Sequence, residues 1–187
     1  MKFFSGLLTC AAFTATLVSA VPVDGGDALA ARAPPNPALA SNLINSLNLV
    51  GQATGTVIGS LANFNSASTM GQAYTIVNQL NGLDRGLRNA NDNAMRIPPG
   101  LDYATAVRVV STLQRTMPGI GDLLNKSIPA KNNAFRTFPV VSGQVTQVQN
   151  SIRSDAILVL NTIQARVPQP LKTQIQGLKD QLQRRLV

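Results

Sequence analysis

Residues 102–124 read DYATAVRVVSTLQRTMPGIGDLL, and this stretch decides the fold class. Its apolar side chains recur at alternating intervals of three and four residues, as they do on one face of an α-helix. They are Tyr103, Ala106, Val110, Leu113, Met117, Ile120 and Leu124. Asp102 predicts the N-cap of this helix, because its carboxylate can accept a hydrogen bond from the first turn. Pro118 predicts a kink near Gln114, since the ring removes one helical hydrogen bond and crowds the preceding turn.

Two further stripes with the same spacing precede this stretch. The first is predicted to follow an N-cap at Ser41 and consists of Ile44, Leu47, Val50, Thr54, Val57, Leu61 and Phe64. After a break at residues 63–68, the second consists of Ala73, Val77, Leu80, Leu83, Leu87, Ala90 and Ala94. It stops before Pro98-Pro99-Gly100, which ends a helix. Gly82 and Gly86 either weaken this helix by about 1 kcal/mol each relative to alanine or permit a neighbour to pack closely.

The pattern continues after Pro129, which either kinks the third helix again or starts a short helix ending at Phe138-Pro139. Both alternatives place Phe135 and Phe138 near a bend. Ser142 is predicted to open a fourth long helix with Val145, Val148, Ile152, Ala156, Val159, Ile163 and Val167 on one face. After Pro168 and Pro170, the last stripe is Leu171, Ile175, Leu178, Leu182 and Leu186. The sequence therefore predicts an all-α, antiparallel bundle of about five amphipathic helices, with kinks near Pro118 and Pro129.

The first 38 residues differ in composition from this helical region. Residues 1–20 have the charge, apolar stretch and small residues of a secretory signal peptide. Residues 21–38 are predicted to be a flexible segment; processing at Arg32 is one hypothesis, and a plain disordered N-terminus is the other. Residues 39–187 are predicted to form the bundle domain. The only cysteine, Cys10, lies in the leader, so we expect an extracellular protein that is held together by packing and has no transmembrane anchor.

The composition bears on function mainly through the residues that the chain lacks. It contains no histidine, no glutamate and no tryptophan, and its eight aspartates are scattered among 16 basic residues, giving a net charge of +8. Because the usual catalytic and metal-binding groups are missing, we expect no enzyme activity, no cofactor and no metal site. The basic excess favours an acidic partner such as anionic cell-wall polysaccharide. Few aromatic residues are available for base stacking, which disfavours nucleic-acid binding.

One segment of the second half carries a family resemblance. The run NKSIPAKNNAF at residues 125–135, followed by a helix ending in Ala165-Arg166-Val167-Pro168 and by the final helix, resembles the fungal hydrophobic surface-binding protein A and cell wall galactomannoprotein family. The resemblance covers roughly residues 39–187. It implies a secreted five-helix bundle found in culture fluid or fungal walls. Members of that family adsorb to hydrophobic surfaces, help to recruit polyester-degrading enzymes, or hold fatty acids in a central apolar cavity.

Two hypotheses for function follow from the stripes and the resemblance. In the first, the bundle opens and turns its apolar helix faces toward a hydrophobic surface, because burial is favourable whichever apolar phase receives them. In the alternative, the protein carries fatty acids or other lipids in a central cavity. The candidate lining residues are Leu113, Met117, Ile120, Leu124, Phe135, Val148, Ile152, Val159 and Ile163; for each of them, ordinary core packing is the competing interpretation. A sealed core favours adsorption, and a hollow one favours carriage.

Two local features bear on glycosylation and membrane binding. Asn125-Lys126-Ser127 is an N-glycosylation sequon, so Asn125 is a candidate glycan site in a secreted chain. The terminal helix is basic and amphipathic, a type that can lie on a membrane. Since every other helix has a similar apolar stripe, a core-facing bundle helix is the favoured interpretation.

Overall fold

The computed structural model of the chain describes residues 37–183, and every regular element in that range is helical. The elements are α1 (Pro37–Asn63), α2 (Met70–Met95), α3 (Tyr103–Asp122), a π-helical turn (Leu123–Ser127), a 3-10 turn (Pro129–Lys131), α4 (Asn132–Arg136), α5 (Pro139–Gln164) and α6 (Gln169–Gln183). The predicted all-α class with five long helices is confirmed. The predicted leader, residues 21–36 of the predicted flexible segment with Arg32, and Leu186 lie outside the described residues, whereas residues 37 and 38 of that segment are helical.

The five long helices pack as a closed ring in the order α1, α2, α5, α6, α3. Long helices that follow one another in the chain alternate in direction, as expected for an antiparallel bundle, although residues 123–138 make a longer connection between α3 and α5. Around the ring, however, three neighbouring pairs run parallel. Arg88 contacts Asp155 while Asn91, further along α2, contacts Thr162, further along α5. Gly51 and Thr54 of α1 lie beside Thr116 and Gly119 of α3, and Gln114 and Gly121 of α3 lie beside Gln174 and Leu182 of α6. A ring of five helices cannot alternate throughout, since five is an odd number. This topology places α3 and α5 at non-adjacent positions that border the same interior.

The buried faces of the helices form one continuous apolar core. The predicted stripes are confirmed at most positions, with three corrections. Leu43 is fully buried in place of Ile44, which is only partly covered. Tyr103 is 59% exposed because it is the first residue of α3, and Val148 is half-buried because it borders a surface groove. All three residues lie at the margin of an apolar helix face. Whether such a residue is buried depends on how far the adjacent helices and loops extend over it.

Two helices include residues that precede their predicted starts, and α5 begins at a proline. α1 begins at Pro37 and α5 at Pro139, so the predicted starts at Ser41 and Ser142 are wrong. Proline fits the first turn because its backbone angle suits a helix and the amide that it lacks has no partner there. The predicted cap at Asp102 is confirmed, since its Oδ1 accepts a hydrogen bond from the Thr105 amide at 2.9 Å.

Glycines in α2 and in the loop after it have different structural roles. A Cβ on Gly86 would lie 3.3 Å from Cγ2 of Val50 on α1, so this glycine permits a close helix approach. A Cβ on Gly82 would meet no atom within 4 Å, so Gly82 only weakens the helix. Gly100 has a φ of 82°, a left-handed conformation that glycine adopts without steric cost. Of the two roles predicted for these glycines, close helix packing thus applies to Gly86 and weakening of the helix applies to Gly82.

Of the two prolines predicted to kink the third helix, Pro118 lies inside regular α-helix and Pro129 lies after its end. α3 continues through Pro118 to Asp122, after which the bonding pattern loosens and the Ile128 amide donates to the Leu123 carbonyl at 3.0 Å. Pro129 then starts the 3-10 turn that leads into α4, so the short-helix alternative is the observed one. Phe135 and Phe138 flank the bend between α4 and α5, as predicted. Residues 123–138 therefore cross one end of the ring.

Candidate functional site

The candidate lipid-binding residues meet in the interior of the ring, with one exception. Leu113, Met117 and Ile120 lie on α3, Leu124 lies in the π-helical turn, and Phe135 lies on α4. From the other side of the interior, α5 contributes Ile152, Val159 and Ile163. All eight belong to the same apolar core. Val148 is the exception, because it borders the outer groove between α2 and α5.

The interior is closed at these eight residues. Each of them is only 0–1% accessible to a water-sized sphere. An internal cavity with room for an acyl chain would expose the side chains that line it, and small-molecule pockets commonly hold about 300–1,000 Å³. The side chains therefore fill the space between α3 and α5 in this state, and a ligand can occupy it only if the helices separate.

The two ends of the ring are closed in different ways. We call the first end, formed by residues 64–69 and 123–138, the phenylalanine end. Phe64 packs on Phe135 there with ring centroids 4.6 Å apart, and the centroid of the Phe138 ring lies 6.3 Å from that of Phe64. Hydrogen bonds also hold this end, because Lys131 Nζ donates to the Ala62 carbonyl at 3.3 Å and Arg153 donates to Asn125 Oδ1 at 2.9 Å. Apolar stacking and side-chain hydrogen bonds therefore close this end together.

The opposite end, which we call the arginine end (residues 95–102 and 162–168), is held by hydrogen bonds centred on Arg166. The Arg166 guanidinium donates to three backbone carbonyls, those of Ile97 (2.8 Å), Thr162 (2.8 Å) and Met95 (3.1 Å). The Arg166 carbonyl in turn accepts hydrogen bonds from the amides of Gly100 and Leu101. Charge-assisted hydrogen bonds of this kind are stronger than neutral ones. The hydrogen bonds of one residue, Arg166, are therefore the main polar closure of the arginine end.

Exposed apolar side chains lie near the phenylalanine end. Met70 and Tyr74 occupy the first turns of α2, and Val140 lies in the first turn of α5. All three are exposed, Val140 by 63%. A cleft of about 210 Å³ with Phe64 and Ile76 in its walls opens nearby, between the end of α1 and the start of α2.

Most charged groups are exposed and few form ion pairs. Lys126 pairs with Asp122 at 2.7 Å, and Arg88 pairs with both Asp84 and Asp155 at 2.8 Å. The pKa of Arg88 is raised above its ordinary value, chiefly by its hydrogen bond with Asp155 and then by the charge of Asp84. No cluster of potential metal ligands occurs within residues 37–183. In the same range, no helix is both long and apolar enough to cross a bilayer.

The side chain of the glycosylation candidate, Asn125, forms a hydrogen bond within the bundle. Asn125 lies in the π-helical turn and is half-buried, and its Oδ1 accepts a hydrogen bond of 2.9 Å from Arg153. Arg153 also donates to the Leu182 carbonyl. The side chain of Asn125 thus helps to join the π-helical turn to α5 and α6.

Sequence reasoning missed a polar groove of about 470 Å³ along the outer side of the α2–α5 pair. Its walls include Tyr74, Asn78 and Asn81 from α2, with Gln144 and Gln147 from α5. The spacing of these residues at three or four along each helix was available in the sequence. What the sequence did not show is that α2 and α5 run parallel side by side, which brings the two polar stripes together.

A second polar groove, of about 400 Å³, lies between α1 and α2. Asn42, Asn45, Asn89 and Asn93 contribute to its walls. This α1–α2 groove resembles the α2–α5 groove in its carboxamides but contains no aromatic residue.

The fold and its interior define a class: an all-α bundle of five long helices around a continuous apolar core. No protein-family model and no curated protein matches the sequence. Among solved structures, the chain is similar to Afmp4p, which was crystallised in complex with palmitic acid. The match has a TM-score of 0.70 and covers 76% of this chain and 91% of Afmp4p, with 18% of residues identical. At that level of identity the likeness shows a shared fold.

Proposed function

We propose that this protein binds long acyl chains, such as those of fatty acids, in the apolar interior between α3 and α5. The observation that carries the proposal is the fold shared with Afmp4p, whose solved complex contains palmitic acid. The continuous apolar core supports it, because an acyl chain that replaces core contacts with its own keeps apolar surface away from water. In this proposal Leu113, Met117 and Ile120 face Ile152, Val159 and Ile163 across the bound chain.

The phenylalanine end is the access route in this proposal. Opening this end separates Phe64 from Phe135 and breaks the hydrogen bonds of Lys131 and Arg153, whereas opening the arginine end breaks the bonds from Arg166 to the Ile97 and Met95 carbonyls. Irregular helical turns at residues 123–131 have fewer regular backbone bonds to break than a long helix. Lys131 and Arg136, which flank Phe135 at this end, could then meet the carboxylate of a fatty acid.

Native mass spectrometry tests the proposed function directly. The protein should take up one palmitate per chain and should take up no butyrate, because four carbons bury too little apolar surface to offset the cost of separating the helices. Absence of palmitate uptake at millimolar ligand, by a protein that is folded by circular dichroism, would exclude the proposal.

Adsorption to hydrophobic surfaces is the second candidate function, and the sealed interior favours it. The eight core residues are closed to solvent, and no cysteine follows Cys10 to cross-link the helices. The helices of such a bundle can separate, and their apolar faces can then bind to a wax or polyester surface. Adsorbed protein should then exchange its core amides with deuterium far faster than dissolved protein, while its helical content is kept. A protein that stays in solution over hydrophobic beads that remove albumin would count against adsorption.

We also propose that the protein is extracellular, associated with the cell wall and without enzyme activity. The leader-like residues 1–20, the absence of histidine and glutamate, and the resemblance to fungal hydrophobic surface-binding and galactomannoprotein sequences support this proposal. Fractionation of a culture that expresses the full chain should recover a protein lacking residues 1–20 in the medium or the wall. Recovery from the cytosol with the leader intact would contradict it.

A further inference from the structure

The carboxamides of the α2–α5 groove form a hydrogen-bonding surface that the fold itself leaves unused. Asn78 and Asn81 on α2 face the groove together with Gln144 and Gln147 on α5. Within the described part of the chain, no hydrogen bond engages any of these four side-chain amides. Each carboxamide offers two N–H donors and a carbonyl acceptor. A ligand that both donates and accepts hydrogen bonds along its length would match such a surface.

The charged side chains that line the groove are bonded to one another and balance in charge. Arg88 donates to Asp155 and Asp84 at 2.8 Å and to Ser151 Oγ at 3.1 Å, which fixes its guanidinium between α2 and α5. Among the residues that line the groove, the Asp84 carboxylate and the Arg88 guanidinium balance, so the groove has no net charge although the whole chain carries +8. Net charge therefore gives an anionic ligand no advantage in this groove, in contrast to the acidic partner that the overall charge suggests.

One buried acceptor in the groove wall lacks a partner. Asp84 is only 8% exposed, and its Oδ1 has no hydrogen bond within residues 37–183, whereas its Oδ2 is bonded to Arg88. An unsatisfied buried acceptor is costly, and a hydroxyl group in the groove would satisfy it after a small side-chain adjustment. Asp84 therefore favours a ligand with hydroxyl donors.

The groove also offers apolar contact. Tyr74 stands at one end with 41% of its surface exposed, and Val77 and Val148 contribute to the walls. From Tyr74 to Arg88 the groove follows α2 for 14 residues, which corresponds to about 21 Å at 1.5 Å per residue. An elongated ligand with alternating polar edges and apolar faces suits these dimensions, because the tyrosine ring can cover an apolar face while the amides bond the edges.

We propose that the α2–α5 groove binds a neutral, hydroxyl-rich oligosaccharide. The ring hydroxyls would exchange hydrogen bonds with the four carboxamides, and Tyr74 would stack on one sugar ring. An extended peptide fits less well, because peptide recognition typically uses a sheet edge or deep apolar pockets for anchoring side chains, and the groove between these two helices provides neither. The groove is separate from the interior proposed for acyl chains.

Titration of the full chain with neutral oligosaccharides tests this site. The probes are linear β-glucan and α-mannan fragments of four to six sugars, followed by isothermal calorimetry and by amide chemical shifts. We expect at least one probe to bind, with shifts concentrated at residues 74–88 and 144–155. Substitution of both Asn78→Ala and Gln147→Ala should weaken binding at least tenfold. Tyr74→Ala should have a similar effect, whereas Tyr74→Phe should retain most of the affinity.

The α1–α2 groove supplies the matched control. Asn45→Ala with Asn89→Ala removes two exposed carboxamides from a groove that lacks an aromatic ring, and this double variant should bind as the unaltered protein does. Equal loss in both double variants would overturn the proposal, since it would indicate diffuse amide contacts. The proposal would also fail if no neutral probe bound, or if an extended peptide displaced a bound sugar. Palmitate uptake is measured in parallel and should not differ among these variants.

Discussion

Leu113→Ala is the substitution that tests the interior most sharply. Leu113 is fully buried on α3, and its replacement removes three carbon atoms from the core. At about 0.8 kcal/mol for each buried CH₂ group, the lost transfer free energy is about 2.4 kcal/mol. The cavity left behind raises the total loss in the free energy of unfolding to about 3–4 kcal/mol. For a domain of this size, the melting temperature should fall by about 6–15 °C.

Leu49→Ala is the matched control for this prediction. Leu49 lies on α1 and is 63% exposed, so its replacement should change stability by about 0.5 kcal/mol or less. Thermal unfolding followed by circular dichroism, with and without palmitate, measures both variants. If the interior holds the acyl chain, palmitate should raise the melting temperature of Leu113→Ala more than that of Leu49→Ala, because the ligand fills the new cavity. Equal stability losses in the two variants would refute the core assignment, and equal palmitate shifts would refute the interior site.

Three further predictions concern the helices and their ends. Gly82→Ala should stabilise the protein by about 0.5–1 kcal/mol in urea unfolding, because a Cβ there meets no atom; Gly86→Ala should gain less or lose stability, since its Cβ would crowd Val50. Arg166→Ala should cost about 2 kcal/mol, because it removes a charged donor from three carbonyls; a loss confined below 0.5 kcal/mol would contradict the role given to the arginine end. The hydrogen bond from the Thr105 amide lowers the pKa of Asp102 below its ordinary value of 3.8. The ionised Asp102 should therefore stabilise the fold fully above pH 3.8, and this stabilisation should be lost as the pH falls through the lower pKa of the folded protein. Unfolding of Asp102→Asn should therefore depend less on acid pH between 5 and 2 than unfolding of the unaltered protein, and an identical pH dependence would argue against the cap.

Side-chain periodicity predicted the helices well because the physics of a core-facing stripe is local. The stripe on α3 identified six of its seven members correctly, and the exception, Tyr103, lies in the first turn, where coverage depends on neighbouring loops. The choice between Leu43 and Ile44 on α1 depended on which side α2 and α3 occupy, and no local pattern contains that information. The start of α5 at Pro139 differs from the predicted start at Ser142, because proline suits the first turn of a helix as well as serine suits the cap.

The sequence predicted which residues line the interior, but it did not predict that the interior is filled by side chains. The stripes on α3 and α5 correctly placed eight apolar residues in one core. Whether that core is filled depends on side-chain volumes summed over five helices, which spacing alone does not determine. The α2–α5 groove was missed for a related reason, because the contact between Arg88 and Asp155 joins helices that are separated by more than 40 residues of chain. Contacts between helices that are far apart in the sequence therefore determine both the closed interior and the polar groove.

The proposed binding of an acyl chain in the interior between α3 and α5 has a direct test. It is tested most directly by nuclear Overhauser effects between ¹³C-labelled palmitate and the methyl groups of leucine, isoleucine and valine in the protein. The proposed binding predicts cross-peaks from the acyl chain to Leu113, Ile120, Ile152 and Val159, at one palmitate per protein chain. Cross-peaks confined to exposed residues such as Val140 and Leu158 would contradict it.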